Sequence, residues 1–161
     1  MENIKQLQDS GQRRVFDTGA VRDIQAQKGR CDLLPLDVLA FDPIHGKDEV
    51  LEHILAFIHE RDERALYVAL EKFCNLREWT WHDMMLEVAI HMAAGAEKYG
   101  ERNWEKGIEL HSYVDSGIRH YLKWRRGDED EPHDRAFCWN VICCISTFRN
   151  QPEMDDLPKV E

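Results

Sequence analysis

Apolar residues recur at intervals of three and four along most of this chain from residue 48 onward. The stretches with this period are 48–76, 80–99, 112–126 and 133–149. A charged run at 60–64 interrupts the first stretch and predicts a break between two helices. Because a helix with one apolar stripe must bury that stripe against another element, we predict an all-α helical bundle, folded as a single domain of 161 residues.

The charge balance limits the partners of the chain. It has 21 basic and 31 acidic residues and a formal net charge of −10, whereas broad, nonspecific binding of nucleic acid needs a basic face. We therefore expect no nucleic-acid partner. An anionic ligand would need either a locally basic site or a divalent metal ion that bridges acidic side chains to it.

Cysteine usage and hydropathy predict a cytoplasmic protein. The five cysteines are odd in number and lack metal-ligand spacing, and the adjacent Cys143 and Cys144 diverge on a helix. Reduced, buried thiols are therefore expected. The sequence shows no signal peptide and no apolar run of about 18 residues, so no membrane partner is expected.

The two ends of the chain lack the helical period. Residues 1–30 are polar, contain three glycines and predict an irregular N-terminal arm, whereas 150–161 contain two prolines and several acids and predict a flexible acidic tail. Just after the arm, Arg30 and Asp32 precede an apolar anchor and Pro35. They form either a charged surface turn or a contact with a bound nucleotide.

The stretch 95–107 carries the strongest functional signal. It reads GAEKYGERNWEKG and packs cations, aromatics and three glycines into thirteen residues. Such a loop suits a site where backbone and planar side chains close on a polyanionic, aromatic ligand, and a nucleotide is the obvious candidate. We predict that Lys98 and Arg102 bind phosphate, and that Asn103 and Trp104 contact the base.

Two helices carry lines of chemically active side chains. Glu87, His91 and Lys98 fall at offsets of four and seven on a largely apolar helix. They form either a surface stripe or part of a site, since buried polar groups need partners. The next helix carries one acid and three candidate phosphate or nucleotide contacts on one side: Asp115, Arg119, His120 and Lys123.

The last predicted helix combines polar residues with an acidic approach. His133 and Asn140 lie on its apolar stripe, directly after the acidic loop 128–131. This favours a polar site between helices over two satisfied core side chains, with Asn140 as a nucleotide contact. Oxygen and imidazole ligands suit Mg²⁺ or Mn²⁺, which neutralise phosphates and activate water. The predicted metal ligands are Glu87, His91, Asp130, Glu131, His133 and Asp134, of which Glu87, His91 and Asp134 are predicted to be catalytic.

Several motifs together resemble one phage and bacterial family, the dATP/dGTP diphosphohydrolases. These enzymes are relatives of the MazG-like all-α nucleotide pyrophosphatases and include the MazZ type. The resemblance covers about residues 29–148, with 95–107 as its most specific part. The motifs are Asp32-Leu-Leu-Pro35, Leu86-Glu-Val88, 95–107, Arg119-His-x-Leu122, Trp124-x-x-Gly-Asp128, and His133 with Trp139-Asn140.

The resemblance implies a reaction and an architecture. It implies a MazG-like all-α bundle, in which 42–82 is a helical insertion that some members carry and 83–149 are the catalytic helices. The implied reaction cleaves a purine deoxynucleoside triphosphate between the α and β phosphates, with Mg²⁺ or Mn²⁺, in a homo-oligomer (dimer or tetramer). For a phage protein, it also implies a role in nucleotide-pool remodelling in the host cytosol. dGTP and dATP stay alternatives.

The chain departs from the MazG-like pattern in one half of the metal motif. MazG-like enzymes pair Glu-x-x-Glu with a later Glu-x-x-Asp. Here Glu131-x-x-Asp134 fits the second half, but no Glu-x-x-Glu lies at the usual distance before it. Glu87 with His91 is the predicted replacement.

Two other functions compete with this interpretation. His133-Asp134 is a His-Asp pair in a helical protein, which would also suit an HD-type phosphohydrolase that releases triphosphate from a dNTP. The second alternative is a non-enzymatic, acidic helical phage protein that binds a host factor. It gives no reason for Lys98, Arg102 and Trp104 to cluster.

Overall fold

The computed structural model of the protein describes residues 11–25 and 27–159, so 1–10 of the predicted arm and the last two residues of the predicted tail lie outside it. Two small antiparallel hairpins precede the long helices. They are β1 (Arg13–Val15) with β2 (Val21–Asp23), and β3 (Phe41–Asp42) with β4 (Gly46–Lys47). The helices are α1 (Leu36–Leu39), α2 (Glu49–Glu60), α3 (Glu63–Arg77), α4 (Trp81–Tyr99), α5 (Leu110–Arg126) and α6 (His133–Asn150). The predicted all-α fold is confirmed.

Side-chain caps fix where the helices begin. Asp48 caps α2 by accepting hydrogen bonds from the first-turn amides, and Asp62 caps α3 in the same way. The break between them falls at Arg61 and Asp62, inside the charged run that predicted it. Thr80 and Asp83 form a reciprocal capping box at the start of α4, as their spacing predicts.

An aromatic cluster joins the helices into one core. The Phe73 ring on α3 lies 4.7 Å from that of Phe137, 4.8 Å from Trp124 and 6.2 Å from Tyr121, measured between ring centres. The Tyr121 hydroxyl also donates hydrogen bonds to Asp48. The segment 42–82 therefore shares its core with α5 and α6, which pack extensively on each other.

Both ends differ from the sequence-based expectation. The described part of the arm forms the β1–β2 hairpin, paired from Arg13 with Asp23 to Val15 with Val21. The C-terminal segment is docked, because Leu157 is buried and Asp156 accepts a hydrogen bond from the backbone of His111. Composition did not show these contacts because their partners lie far away in the sequence.

The cysteines agree with the expectation of reduced, buried thiols. All five cysteines are free thiols, and every one except the partly exposed Cys31 is buried. Within the described part of the chain, no helix combines the length and the apolar character that a membrane span requires.

Candidate functional site

A cavity of about 900 Å³ opens between the first hairpin and helices α4, α5 and α6. Its size lies within the range of small-molecule and cofactor sites. The stretch 95–107 contributes ten of its thirteen residues to the lining. The cavity therefore forms where the strongest sequence signal lies.

The lining is locally basic although the protein is acidic. Its charged side chains comprise six cations and four carboxylates, against a formal net charge of −10 for the chain. A local excess of cations concentrates anionic ligands. The cations are Arg22, Lys28, Lys98, Arg102, Arg119 and Lys123, and the carboxylates are Asp23, Glu101, Glu105 and Glu131.

The loop after α4 holds the β1–β2 hairpin against the cavity. The Asn103 side chain accepts a hydrogen bond from the Val21 amide and donates one to the Val21 carbonyl, both at 2.8 Å. At Gly107 the backbone φ is 109°, and an added Cβ would lie 2.9 Å from Gln151 Oε1 and 3.1 Å from Thr18 Cγ2. Only glycine fits there. The predicted base contact Asn103 thus has both polar atoms committed to the hairpin.

Asp23 connects the hairpin to the end of α4. Its carboxylate accepts hydrogen bonds from Lys98 Nζ at 2.6 Å, Tyr99 Oη at 2.8 Å and Arg13 Nη1 at 3.1 Å. Burial and the hydrogen bond to Asp23 raise the pKa of Tyr99 well above its ordinary value. Lys98 is a predicted phosphate ligand and lines the cavity. Its ammonium group donates a hydrogen bond to the Asp23 carboxylate.

Arg22 is a partly buried cation that pairs with no carboxylate among the described residues. Its Nη2 donates to Asn140 Oδ1 at 3.0 Å, and its guanidinium lies 5.4 Å from the Tyr113 ring centre and 5.6 Å from that of Trp139. Nη1 is buried and has no hydrogen-bond partner among the described residues. Burial lowers the pKa of Arg22, yet an arginine stays protonated at neutral pH. This cation lines the cavity and is suited to an anionic ligand.

Asn140 supports Arg22 from α6. Besides accepting from Arg22, its amide donates to the carbonyl of Ala136 at 2.8 Å. Asn140 is both buried and part of the cavity lining. Its predicted contact with a nucleotide would therefore come in addition to two bonds within the protein.

His91 lies beside Trp139 on the same wall. The two ring centres are 5.4 Å apart, and His91 Nδ1 is buried without a hydrogen-bond partner among residues 11–25 and 27–159. Burial, together with the positive charges of Arg135 and Arg22, lowers the pKa of His91 to about 4. The imidazole is therefore neutral at physiological pH.

We expect the burial of the neutral His91 to lower the stability of the folded protein as the pH falls. In the unfolded chain His91 takes up a proton near pH 6.5, whereas the folded protein resists protonation down to about pH 4. Stability is thus fully present above pH 6.5 and lost as the pH falls towards 4. Between pH 7 and 4.5, the free energy of unfolding should fall by about 2 kcal/mol more in the wild type than in His91→Gln.

Urea unfolding at the two pH values measures this difference. His59→Gln, at an exposed position of α2, is the matched control and should follow the wild type. An equal acid loss in His91→Gln and the wild type would contradict the burial argument.

Two histidines and a glutamate converge where α5 meets the start of α6. His120 Nδ1 and His133 Nδ1 are 2.9 Å apart, and Glu131 Oε1 lies 3.8 Å and 3.7 Å from them. His133 Nε2 lies 2.7 Å from Asp130 Oδ1. Burial and the neighbouring His133 hold the pKa of His120 well below its ordinary value. We call His120, Glu131 and His133 the imidazole cluster; its donor set fits a divalent metal ion.

Several predicted site residues lie outside the cavity lining. Glu87 forms a salt bridge with Arg135 at 2.7 Å, and Asp134 forms one with Arg77 at 3.0 Å. The structure therefore does not bring Glu87 and Asp134 together with the imidazole cluster. Both side chains pair with arginines instead. The sequence does not predict these partners, because helical spacing indicates the face of the helix on which a residue lies but not the element that covers that face. Arg30 and Asp32 form a surface ion pair with each other.

The remaining predicted phosphate ligands line the cavity and are held by acids or carbonyls. Arg119 bonds to the buried Asp115 and donates to the Gly29 carbonyl at 3.0 Å. Lys123 Nζ lies 3.2 Å from Asp130. Arg102 is the most exposed of them, with its guanidinium 2.7 Å from a carboxylate oxygen of Glu105.

Sequence reasoning missed three charged residues that the N-terminal arm contributes to the lining: Arg22, Asp23 and Lys28. All lie in the part of the chain interpreted as irregular. A usable signal was present, because Arg13–Val15 and Val21–Asp23 flank a turn that contains Gly19. Two short runs separated by a glycine-containing turn indicate a hairpin.

Comparison with known proteins identifies the family. Residues 75–157 match the family described as dATP/dGTP diphosphohydrolase, N-terminal. A search of curated proteins and a search of solved structures found no match. The matched stretch is more than half of the 161 residues and contains α4, α5 and α6 with most of the cavity lining. The chain belongs to the dATP/dGTP diphosphohydrolase family.

Proposed function

We propose that this protein hydrolyses purine deoxynucleoside triphosphates in the cavity between the β1–β2 hairpin and α4–α6. One water is consumed for each dNTP, the bond between the α-phosphorus and the bridging oxygen to the β-phosphate breaks, and the monophosphate and pyrophosphate leave. The observation that carries the proposal is a basic, tryptophan-containing cavity in an acidic chain, built largely from the stretch 95–107. Family membership supports the same substrate class.

The lining offers different surfaces to the two ends of such a substrate. Trp104 and Trp139 present aromatic rings suited to the purine base. Lys98, Arg102, Arg119 and Lys123 are the proposed phosphate ligands, as charge-assisted hydrogen bonds favour phosphate oxygens. Each of these cations already lies near a carboxylate or carbonyl. Phosphate oxygens would compete with those partners.

The imidazole cluster is the proposed metal site. His120, Glu131 and His133 would hold the Mg²⁺ or Mn²⁺ ion that we propose for the reaction. When bound, such an ion neutralises phosphate oxygens and lowers the pKa of a coordinated water. Asp130 orients His133 through the bond to its Nε2. The cations of the lining would stabilise the negative charge that develops on the departing pyrophosphate.

The geometry disfavours the HD-type alternative. An HD-type site needs the adjacent His133 and Asp134 to converge on one metal. Here Asp134 bonds to Arg77, whereas His133 bonds to His120 and Asp130. The two side chains therefore serve different surroundings.

A homo-oligomer is also part of the proposal, and one exposed helix face supports it. Met85, Leu86 and Ile90 are exposed on α4, with Leu86 at 69% exposure, and Trp81 lies one turn earlier. Apolar side chains clustered on one face are typical of protein–protein contacts. The proposed partner at this face is a second copy of the chain. Sedimentation velocity would test this. A purely monomeric protein at high concentration would contradict it.

Product identification tests the reaction. Each of the four dNTPs is incubated with the protein and Mg²⁺ or Mn²⁺, and the products are separated by anion-exchange chromatography. We expect dGTP or dATP to give the monophosphate and pyrophosphate in equal amounts, with dCTP and dTTP turned over at least about tenfold more slowly. Release of tripolyphosphate would instead favour the HD-type reaction. If the protein neither turns over nor binds any nucleotide, the result would favour the non-enzymatic alternative.

The proposed biological role is remodelling of the nucleotide pool in the cytosol of a phage-infected host.

A further inference from the structure

We propose that the C-terminal segment 151–158 positions the loop 100–107 of the cavity, with Gln151 as its main positioning residue. The inference rests on the proposed function for the ligand of this loop, which carries the proposed nucleotide contacts Arg102 and Trp104. No residue of the segment 151–158 lines the cavity. Any effect of the segment on nucleotide binding must therefore be transmitted through the residues that it contacts.

Gln151 contacts the backbone of the loop at two places. Its Nε2 donates a hydrogen bond to the Glu105 carbonyl at 2.7 Å, which can only accept and so fixes the orientation of the amide. Its Oε1 is buried, has no hydrogen-bond partner among the described residues, and would lie 2.9 Å from a Cβ added at Gly107. The side chain therefore fits closely against the backbone at the end of the loop.

The backbone that Gln151 contacts also holds the β1–β2 hairpin. Thr18, in the turn of the hairpin, donates a hydrogen bond from Oγ1 to the Gly107 carbonyl. Earlier in the loop, Asn103 bonds to both backbone groups of Val21 at 2.8 Å. The hairpin and the C-terminal segment thus meet at the same end of the loop. A shift of the loop would therefore also move the strand β2, which supplies part of the cavity lining.

The far end of the segment is anchored on other helices. Asp156 accepts a hydrogen bond from the His111 amide at 2.9 Å, at the start of α5. Arg61, at the junction of α2 and α3, donates to Asp155 at 2.8 Å and to a backbone carbonyl of the segment at 3.0 Å. The intervening Leu157 is buried. Because the segment continues from α6 and is fixed again at its far end, it can hold the loop against displacement.

Holding the loop in place should favour nucleotide affinity more than the chemical step. A loop that is loose in the free protein must be ordered when a ligand binds, and this cost is subtracted from the binding free energy. Arg102, Asn103 and Trp104 lie on the loop, whereas the imidazole cluster lies where α5 meets α6. Loss of the contacts of the segment should therefore raise KM and leave kcat close to that of the wild type. Through Arg61, the helices of 42–82 would also contribute to affinity.

Steady-state hydrolysis of the preferred dNTP tests the role of Gln151. Gln151→Ala removes both contacts, and Gln151→Glu keeps the size but cannot donate to the Glu105 carbonyl. We expect each variant to raise KM by about 5- to 10-fold, with kcat within about twofold of the wild type. Gln151→Lys keeps a donor and should recover part of the loss. Asn150→Ala is the matched control, because its amide donates within α6, and should behave like the wild type.

Arg61→Met tests the far anchor and replaces the first test if the Gln151 variants misfold. It removes both bonds from Arg61 to the segment and leaves the loop unchanged. We expect KM to rise by about three- to tenfold at constant kcat. Arg64→Met, at an exposed arginine of the same junction that pairs with Asp62, is the matched control and should keep the wild-type KM.

Hydrogen exchange of the nucleotide-free protein gives a readout that needs no activity. In Gln151→Ala, the amides of 100–107 should exchange about 5- to 10-fold faster than in the wild type, because exchange and affinity both report the loosening of the loop. Unchanged exchange there would overturn the inference. So would a variant that melts earlier but keeps the wild-type KM per folded molecule. If the wild type neither binds nor hydrolyses any dNTP, while exchange of 100–107 still rises in Gln151→Ala, the proposed reaction fails and the positioning of the loop stands.

Discussion

Glu131→Gln is expected to reduce dNTP hydrolysis by roughly a thousandfold while the protein stays folded. Glutamine keeps the size of the side chain but removes the charge from the one carboxylate of the imidazole cluster. Glu131 is only partly buried, and its oxygen lies 3.7 Å from His133 Nδ1, beyond hydrogen-bond distance. We therefore expect the fold to tolerate the loss of this charge. Steady-state release of pyrophosphate with Mn²⁺, together with a thermal melt, measures both effects.

Glu87→Gln decides between the two assignments of the essential carboxylate. Helical spacing assigns Glu87 to the metal and predicts that this variant is inactive. In the structure Glu87 forms a salt bridge with Arg135 and lies outside the cavity lining. We therefore expect Glu87→Gln to turn over dNTP within about threefold of the wild type. The Glu87–Arg135 ion pair is partly buried, but glutamine can still accept a hydrogen bond from Arg135, so the melting temperature should change little. An inactive, folded Glu87→Gln beside an active Glu131→Gln would reverse our assignment.

The helical part of the fold could be predicted from the sequence because its signals are local. The three-and-four spacing of apolar residues places α2 to α6 to within a few residues, and the charged run at 60–64 contains the break between α2 and α3. The capping box of Thr80 and Asp83 needs only its own turn. Such features are set by neighbours within four residues, so one sequence suffices to find them.

The hairpin and its role could not be predicted in the same way. Val21 meets Asn103 across 82 positions in the chain, and Arg22 meets Asn140 across 118. Nothing in the local pattern around Asn103 distinguishes an amide that holds a strand from one that binds a base. The sequence therefore identifies the stretch 95–107 as part of the site, but not that Asn103 in this stretch holds the hairpin that completes the cavity.

The full set of metal ligands could not be predicted from the sequence, because it depends on how α5 packs on α6. The sequence predicts Glu131 and His133 as metal ligands from the acidic loop before the last helix, whereas it predicts a nucleotide contact for His120. Only the packing of the two helices brings His120 Nδ1 to 2.9 Å from His133 Nδ1. Glu87 and His91 share a face of α4, as their spacing predicts, but spacing does not say which neighbour covers each residue.

Arg22→Met is expected to weaken triphosphate binding by roughly 10- to 100-fold while the melting temperature holds or rises. A charge-assisted hydrogen bond contributes about 1.5–3 kcal/mol, which sets this range. Arg22 lines the same cavity as His120 and Glu131, which belong to the proposed metal site. Its Nη1 is buried and has no hydrogen-bond partner among the described residues.

The stability of the variant follows from the same burial. A cation whose guanidinium is largely buried, with no carboxylate partner among the described residues, is destabilising. Methionine fills a similar volume without a charge near the rings of Tyr113 and Trp139. The change leaves Asn140 Oδ1 without its donor, so Arg22→Met combined with Asn140→Leu should be at least as stable as the single variant.

Calorimetric titration with a non-hydrolysable dGTP analogue, and with deoxyguanosine, separates the roles of Arg22. Phosphate binding by Arg22 predicts a large loss for the triphosphate and almost none for the nucleoside. Arg149→Met, at a surface arginine paired with Glu63, is the matched control and should bind both ligands like the wild type. Arg22→Lys keeps the charge but loses the planar fork, so its affinity should fall between the two. If Arg22→Met melts several degrees earlier and binds the triphosphate with unchanged affinity per folded molecule, Arg22 is a structural cation and the anion-binding role assigned to it is wrong.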